Sequence, residues 1–206
     1  MSDTNMKLLL TSAGLSNKKI SNLLVSMLQK KPNECSVLLV AYAQNNNEQF
    51  YVKESKKELI DLGLSSISFF NLKESTFEET CEYDLIYVCG GNTFAILDQM
   101  RATGIDKFIT DSVKSGKSIY LGVSAGSIIA GPDILIAGHG SEGDKNEIAL
   151  KDLAGLALTN VSVFPHFKSH QRSEVDEFRN KVDNPVIELT DDEAVLVDEA
   201  GYRIIR

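Results

Sequence analysis

The chain has 206 residues, 43% of them hydrophobic, and carries 21 Lys and Arg against 29 Asp and Glu, for a formal net charge of -8. That length and apolar share suffice for one sizeable core in one domain, and the negative field disfavours nucleic acid or an anionic membrane as partner. Three cysteines, Cys35, Cys81 and Cys89, lack metal-type spacing, so they read as reduced thiols of a cytoplasmic protein, with no metal or cofactor expected.

Taken in order, the start from Met1 to Asn5 is polar and without the apolar stretch of a signal peptide. Met6 to Ser12 is an apolar strand, and Ser16 is placed to cap a helix whose Ile20, Leu23, Leu24 and Leu28 recur at helical spacing. Cys35 to Tyr42 is a second strand, followed by polar Gln44-Asn45-Asn46-Asn47 and by a charged amphipathic helix from Val52 to Leu62 that Gly63 closes. Ile67 to Leu72 and Tyr83 to Cys89 are the third and fourth strands. The fourth runs into Gly90-Gly91-Asn92-Thr93, an anion-binding type of turn that opens a helix through Phe94, Leu97 and Met100 to Gly104. It lacks the lysine of a P-loop and the third glycine of a dinucleotide fingerprint, so nucleotide binding is rejected.

Ile105 to Ser115 is a further amphipathic helix, and Gly116 leads to a strand from Ser118. Pro132 to Asn160 is glycine-rich and of mixed charge, a loop region suited to a pocket rim. Val161 to Phe164 is a short strand, Ser173 to Lys181 a charged helix, and Val186 to Leu189, Ala194 to Val197 and Tyr202 to Ile205 are closing strands with a turn at Ala200-Gly201. Strands alternating with helices predict an α/β fold with a doubly wound, mostly parallel sheet and its site along the carboxyl edge. The longest uncharged run, Ser118 to Pro132, is too short to span a bilayer and is broken by glycine.

The chemistry concentrates at Gly122-Val123-Ser124-Ala125-Gly126, which lies between an apolar strand and an apolar helix and has the form of a nucleophile elbow. A side chain at Gly122 or Gly126 would collide with the crossing backbone at such a bend. Ser124 is then a candidate nucleophile, with the Ala125 N–H beside its oxygen as an oxyanion donor. Because strand ends of a parallel sheet gather on one edge, the turn after the fourth strand is expected next to Ser124, with the Gly91 N–H as second donor and Asn92 near the substrate. A serine nucleophile needs a base. Of His139, His166 and His170, the end-of-strand position favours His166. A carboxylate must orient the imidazole, and the residues alone leave Asp191, Asp192 and Glu193 as candidates before the strand at Ala194.

The block Cys89-Gly-Gly-Asn-Thr-Phe94, then Arg101-Ala-Thr-Gly-Ile105, Gly122-Val-Ser-Ala-Gly126 and Pro165-His-Phe167, resembles the dipeptidase E and cyanophycinase family of serine peptidases, peptidase family S51. The match is densest from Asp84 to Pro132. The resemblance implies a fold similar to class I glutamine amidotransferases, with Ser124 as nucleophile, His166 as base, Asp191 as third member, and Gly91 and Ala125 as oxyanion donors. It implies cleavage of a small peptide, a dipeptide with N-terminal Asp above all, by a monomer or homodimer. The stretch after Pro165-His166-Phe167 is shorter than in aspartyl dipeptidases, and the chain is short for an enzyme acting on cyanophycin. A carboxylate on the substrate calls for a guanidinium, and Arg172, six residues past His166, is the expected partner. An amidase or esterase, and a catalytically idle ligand-binding or regulatory protein of the same fold, are the alternative readings.

Overall fold

The computed structural model describes residues 6–43, 46–73, 76–78 and 81–206, and for 46–48 the backbone alone. The polar start before Met6 and the Gln44-Asn45 stretch lie outside the described residues. The chain builds β1 (Leu8–Thr11), α1 (Lys18–Met27), β2 (Ser36–Ala41), α2 (Asn46–Asp61), β3 (Ser66–Asn71), β4 (Leu85–Val88), α3 (Thr93–Thr103), α4 (Ile105–Lys114), β5 (Ile119–Val123) and α5 (Ala125–Ile129). The later part adds β6 (Ser162–Phe164), α6 (Arg172–Arg179), β7 (Val186–Glu188), β8 (Ala194–Asp198) and β9 (Gly201–Ile205).

Seven strands form one sheet in the order β3-β2-β4-β5-β1-β8-β9. The first five pair in parallel, whereas β8 runs antiparallel to β1, and β9 antiparallel to β8. Alternation within the apolar strands explains the layers. Leu8 and Leu10 face one core with Val88 and Tyr120, against α3, α4 and α5. Leu9 faces the other with Val37, Tyr87 and Leu121, against α1 and α2. The result is the α/β, doubly wound and mostly parallel sheet with flanking helices that the strand-helix rhythm predicts.

Three local expectations are corrected. The cap of α1 is Asn17 rather than Ser16: the Asn17 side chain accepts from the Lys19 N–H at 2.8 Å and also donates to the Asp192 carbonyl at 2.7 Å. Helix α2 begins at Asn46, six positions before the expected Val52, because its first turn, Asn46 to Gln49, is polar and carries no apolar periodicity to announce it. β6 and β7 leave the main sheet and pair in parallel as a two-stranded sheet of their own. Among the described residues no helix is long and apolar enough to cross a membrane.

Register brings the chemistry together. Thr11, the last residue of β1, lies opposite both Val123 at the end of β5 and Ala194 at the start of β8. The carboxyl ends of two parallel strands and the entry to an antiparallel one therefore meet at one point on the sheet edge.

Candidate active site

At that point β5 turns into α5 through Ser124, whose backbone is held at φ 51° and ψ -112°. Such a positive φ is unusual for a residue with a side chain and persists only where the surroundings enforce it. A Cβ on Gly126 would stand 2.2 Å from the Val88 carbonyl oxygen, and one on Gly122 would stand 2.6 Å from the Gly126 carbonyl oxygen. Both glycines are therefore required by close approach of backbone to backbone. Buried polar contacts secure the bend: the Ser124 N–H donates to the Thr11 carbonyl at 3.0 Å, and the Tyr120 hydroxyl donates to the Gly126 carbonyl at 2.7 Å. Ser127 Oγ, also buried, lies 2.8 Å from both the Thr11 and Gly122 carbonyl oxygens.

His166 follows β6 and is also left-handed, at φ 56°. Its Nε2 is 2.9 Å from Ser124 Oγ and its Nδ1 is 2.6 Å from Asp191 Oδ1. An ionised carboxylate only accepts, so Nδ1 carries the hydrogen and Nε2 of the neutral ring is left to accept from the serine hydroxyl. Burial would raise the Asp191 carboxyl, but hydrogen bonds from His166 and Ser12 and the nearby charge of Lys168 outweigh it and hold the group below its ordinary value. Asp191 stays ionised. The side chains of His166 and Asp191 remain 49% and 64% exposed, so the pair opens directly onto solvent.

Ser12 is the member that the sequence reading left as an ordinary strand end. It is fully buried, donates to Asp191 Oδ1 at 3.0 Å and accepts from the His166 backbone N–H at 2.7 Å. Its own N–H donates to the Glu193 carbonyl at 3.3 Å, which ties it to the turn carrying Asp191. A signal was present, since Ser12 directly follows the first parallel strand and so shares the sheet edge with the elbow.

The structure brings Ser124, His166 and Asp191 into contact and gives the alternatives other partners. Asp192 has its backbone carbonyl anchored to Asn17. His139 Nε2 lies 2.8 Å from the Glu174 carbonyl oxygen, and His170 is 3.5 Å from a Glu142 oxygen. Ala125 is the first residue of α5, so its N–H has no partner within the helix. Gly91 lines the same cleft as Ser124, at φ 143°. Gly90 packs tightly there too, as a Cβ on it would lie 3.1 Å from Ser124 Cβ.

Two residues expected near the substrate have partners within the chain. Asn92 is the cap of α3: its side chain accepts from the Ala95 N–H at 3.0 Å and donates to the Lys145 carbonyl at 3.0 Å. The Arg172 guanidinium is engaged by Glu188 and lies 4.7 Å from the centre of the Phe167 ring, and Arg172 is not among the residues lining the cleft. The anion position at the start of α3 is filled from within the chain, because Asp144 accepts from the Thr93 N–H at 2.8 Å and from its hydroxyl at 2.6 Å.

Ser124 and His166 stand between two cavities. The first, of about 410 Å³, carries the charged side chains of Asp144, Glu142 and Lys168, beside His139 and apolar residues such as Ile136 and Phe164. Lys168 reaches it while paired to Glu142 at 2.9 Å. The second, of about 350 Å³, is lined by both Gly90 and Gly91.

Fold and site together define a family. The family model for peptidase family S51 matches residues 8–205, and the chain belongs to that family. A crystal structure of a candidate peptidase E protein from Listeria monocytogenes superposes with a TM-score of 0.80 at 25% identity, covering 98% of each chain. Its likeness agrees with the class I glutamine amidotransferase-like fold expected from the sequence. An uncharacterised peptidase of Listeria monocytogenes is 35% identical over 131 residues, 62% of this chain and 63% of that one. A peptidase E of Escherichia coli is 36% identical over 87 residues, 41% of this chain and 34% of that one. The matched stretch thus spans less than two thirds of either curated relative.

Proposed function

We propose that the protein is a serine peptidase of small peptides in which Ser124 attacks the scissile carbonyl carbon. His166 Nε2 takes the hydroxyl proton as the new C–O bond forms, and Asp191 holds the ring in the required tautomer and balances the imidazolium charge. The developing oxyanion is held by the N–H groups of Ala125 and Gly91. Collapse of the tetrahedral intermediate breaks the C–N bond, and the proton on His166 goes to the departing amine. Water, deprotonated by the same imidazole, then releases the acyl group. The observation that carries this reading is the run of contacts from Ser124 Oγ through His166 to Asp191, at 2.9 and 2.6 Å, mounted on a strained elbow.

The substrate class that fits best is a dipeptide with N-terminal Asp. Among the described residues the cation lining the first cavity is Lys168, suited to the aspartyl carboxylate, while Glu142 and Asp144 bring negative charge for the α-ammonium. Lys168 takes the place first given to Arg172. A reducing cytoplasm suits the two buried thiols, Cys35 and Cys89.

The test is hydrolysis of Asp-Leu, Asn-Leu and Glu-Leu by the wild type, Ser124→Ala and Lys168→Met. Ser124→Ala should remain folded and lose on the order of a millionfold in turnover. Residual hydrolysis within tenfold of the wild type would remove Ser124 from the mechanism. Lys168→Met should abolish the preference for Asp-Leu over Asn-Leu, and an unchanged ratio would assign the carboxylate to another group.

A further inference from the structure

The second cavity differs from the first in chemistry. Its walls are Ala13, Ala41, Tyr42, Val52 and Cys89, with the Ser55 hydroxyl as a polar group, and it shares Gly91, Ser124 and His166 with the first. Among the described residues no Asp, Glu, Lys or Arg lines it. Ala41, Cys89 and Val52 are 3%, 4% and 7% exposed, so the walls belong to the packed interior where β2 and β4 meet α2. Burial pushes the Cys89 thiol up to about 12, which leaves it uncharged at neutral pH. At the mouth Ala13 and Tyr51 are exposed. The volume, about 350 Å³, sits at the lower end of small-molecule sites, which run from about 300 to 1,000 Å³.

Ser124 borders both cavities, so a bond cleaved there can extend one side into each, and charge decides which. The N-terminal residue of an Asp-X substrate brings an ammonium and a carboxylate, and desolvating either without a partner is costly. The first cavity offers charged partners for both, whereas the second offers, among the described residues, no carboxylate, ammonium or guanidinium. The residue released as the amine then falls in the second cavity, with His166, which borders both, beside the nitrogen it must protonate. We propose that this second cavity is the site of the leaving residue and that it selects an apolar or aromatic side chain there. The terminal carboxylate of a dipeptide stays in water at the open mouth. The inference rests on the peptidase reading above and adds to it the identity of the second residue.

The measurement is kcat/KM for Asp-Gly, Asp-Ser, Asp-Lys, Asp-Leu and Asp-Phe with the wild type, Val52→Phe and Ala13→Phe. Val52→Phe fills the cavity from inside. Ala13→Phe narrows it from an exposed position where folding is not at stake, and fluorophosphonate labelling of Ser124 verifies the site in each. Burying one large apolar side chain should place Asp-Leu and Asp-Phe about tenfold to a hundredfold above Asp-Gly in the wild type. Both substitutions should bring that ratio down toward one. Hydrolysis of all five with equal kcat/KM would overturn the inference and leave the peptidase reading standing. A high ratio unchanged in both variants would also overturn it, by assigning selection to other residues. Hydrolysis of none would overturn both readings.

Discussion

Ser12 shows how one small side chain can serve two residues that are distant in sequence. Its hydroxyl joins the Asp191 carboxylate to the backbone of His166, a residue at positive φ that needs an external anchor. Loss of one hydrogen bond to a charged group costs about 1.5–3 kcal/mol. If the whole of that loss falls on the transition state, Ser12→Ala should lower kcat roughly tenfold to a hundredfold, with KM nearly unchanged. Ser12→Thr, which keeps the hydroxyl, should restore most of the rate. A kcat for Ser12→Ala within twofold of the wild type would show that Asp191 and His166 hold their places unaided. Proton traffic gives a second outcome at this scale. Only a neutral imidazole can accept the Ser124 proton, so turnover should depend on the one histidine in contact with the serine. His166→Ala should remove nearly all activity measured as kcat, and an equal loss in His139→Ala or His170→Ala instead would reassign the base.

At the scale of elements, the elbow depends on how closely α5 approaches β4. The 2.2 Å separation between a Cβ on Gly126 and the Val88 carbonyl oxygen cannot be relieved by a side-chain rotation, because the obstacle is backbone. Gly126→Ala should therefore displace α5 and cost about 1–3 kcal/mol in stability, with a far larger loss in turnover. Thermal unfolding and kcat measured on the same sample check it, and a fully active Gly126→Ala would mean that the elbow yields. Helix α6 and strand β7 meet through Glu188, which pairs with Arg172 and Arg179. Burial pushes the Glu188 carboxyl up, but the hydrogen bond from Arg172 and the charge of Arg179 hold it below its ordinary value. A carboxyl whose folded value is depressed adds stability above its unfolded value, and that stability is lost as pH falls through the folded value. Glu188→Gln should accordingly lower stability by about 1 kcal/mol near neutral pH. The gap in Tm between the two proteins should close in acid below the ordinary glutamate range. A gap independent of pH would show that charge is not what Glu188 contributes.

For the molecule as a whole, the net charge of -8 acts on everything that approaches it. An Asp-X dipeptide is itself anionic at neutral pH, so it reaches the cleft against a repulsive field. Salt screens that field, with a Debye length of about 10 Å at 0.1 M. kcat/KM for Asp-Leu should then rise with ionic strength, while that for the neutral Asn-Leu should change little. A fall with salt for Asp-Leu would show that local attraction at Lys168 outweighs the summed charge.

The sequence by itself determined the elements whose causes are local. Apolar runs, helical spacing and closing glycines marked every strand and most helices, because burial periodicity and allowed φ are written within a few residues of each position. Gly122, Ser124 and Gly126 announced their bend for the same reason. The polar first turn of α2, Asn46 to Gln49, carries no such periodicity. Only the tertiary structure decided which side chains converge. Asp191 rather than Asp192 meets His166 while Asn17 holds the Asp192 carbonyl, and Arg172 is taken by Glu188. Asn92 caps α3, and Ser12 joins the site across 154 residues of chain. The antiparallel pairing of β8 with β1 was equally invisible, since a strand's own pattern shows which faces are buried and not which neighbour it meets or in which direction. Each of these depends on where two distant loops are brought by the packing of the whole sheet, a property that no single stretch of the chain contains.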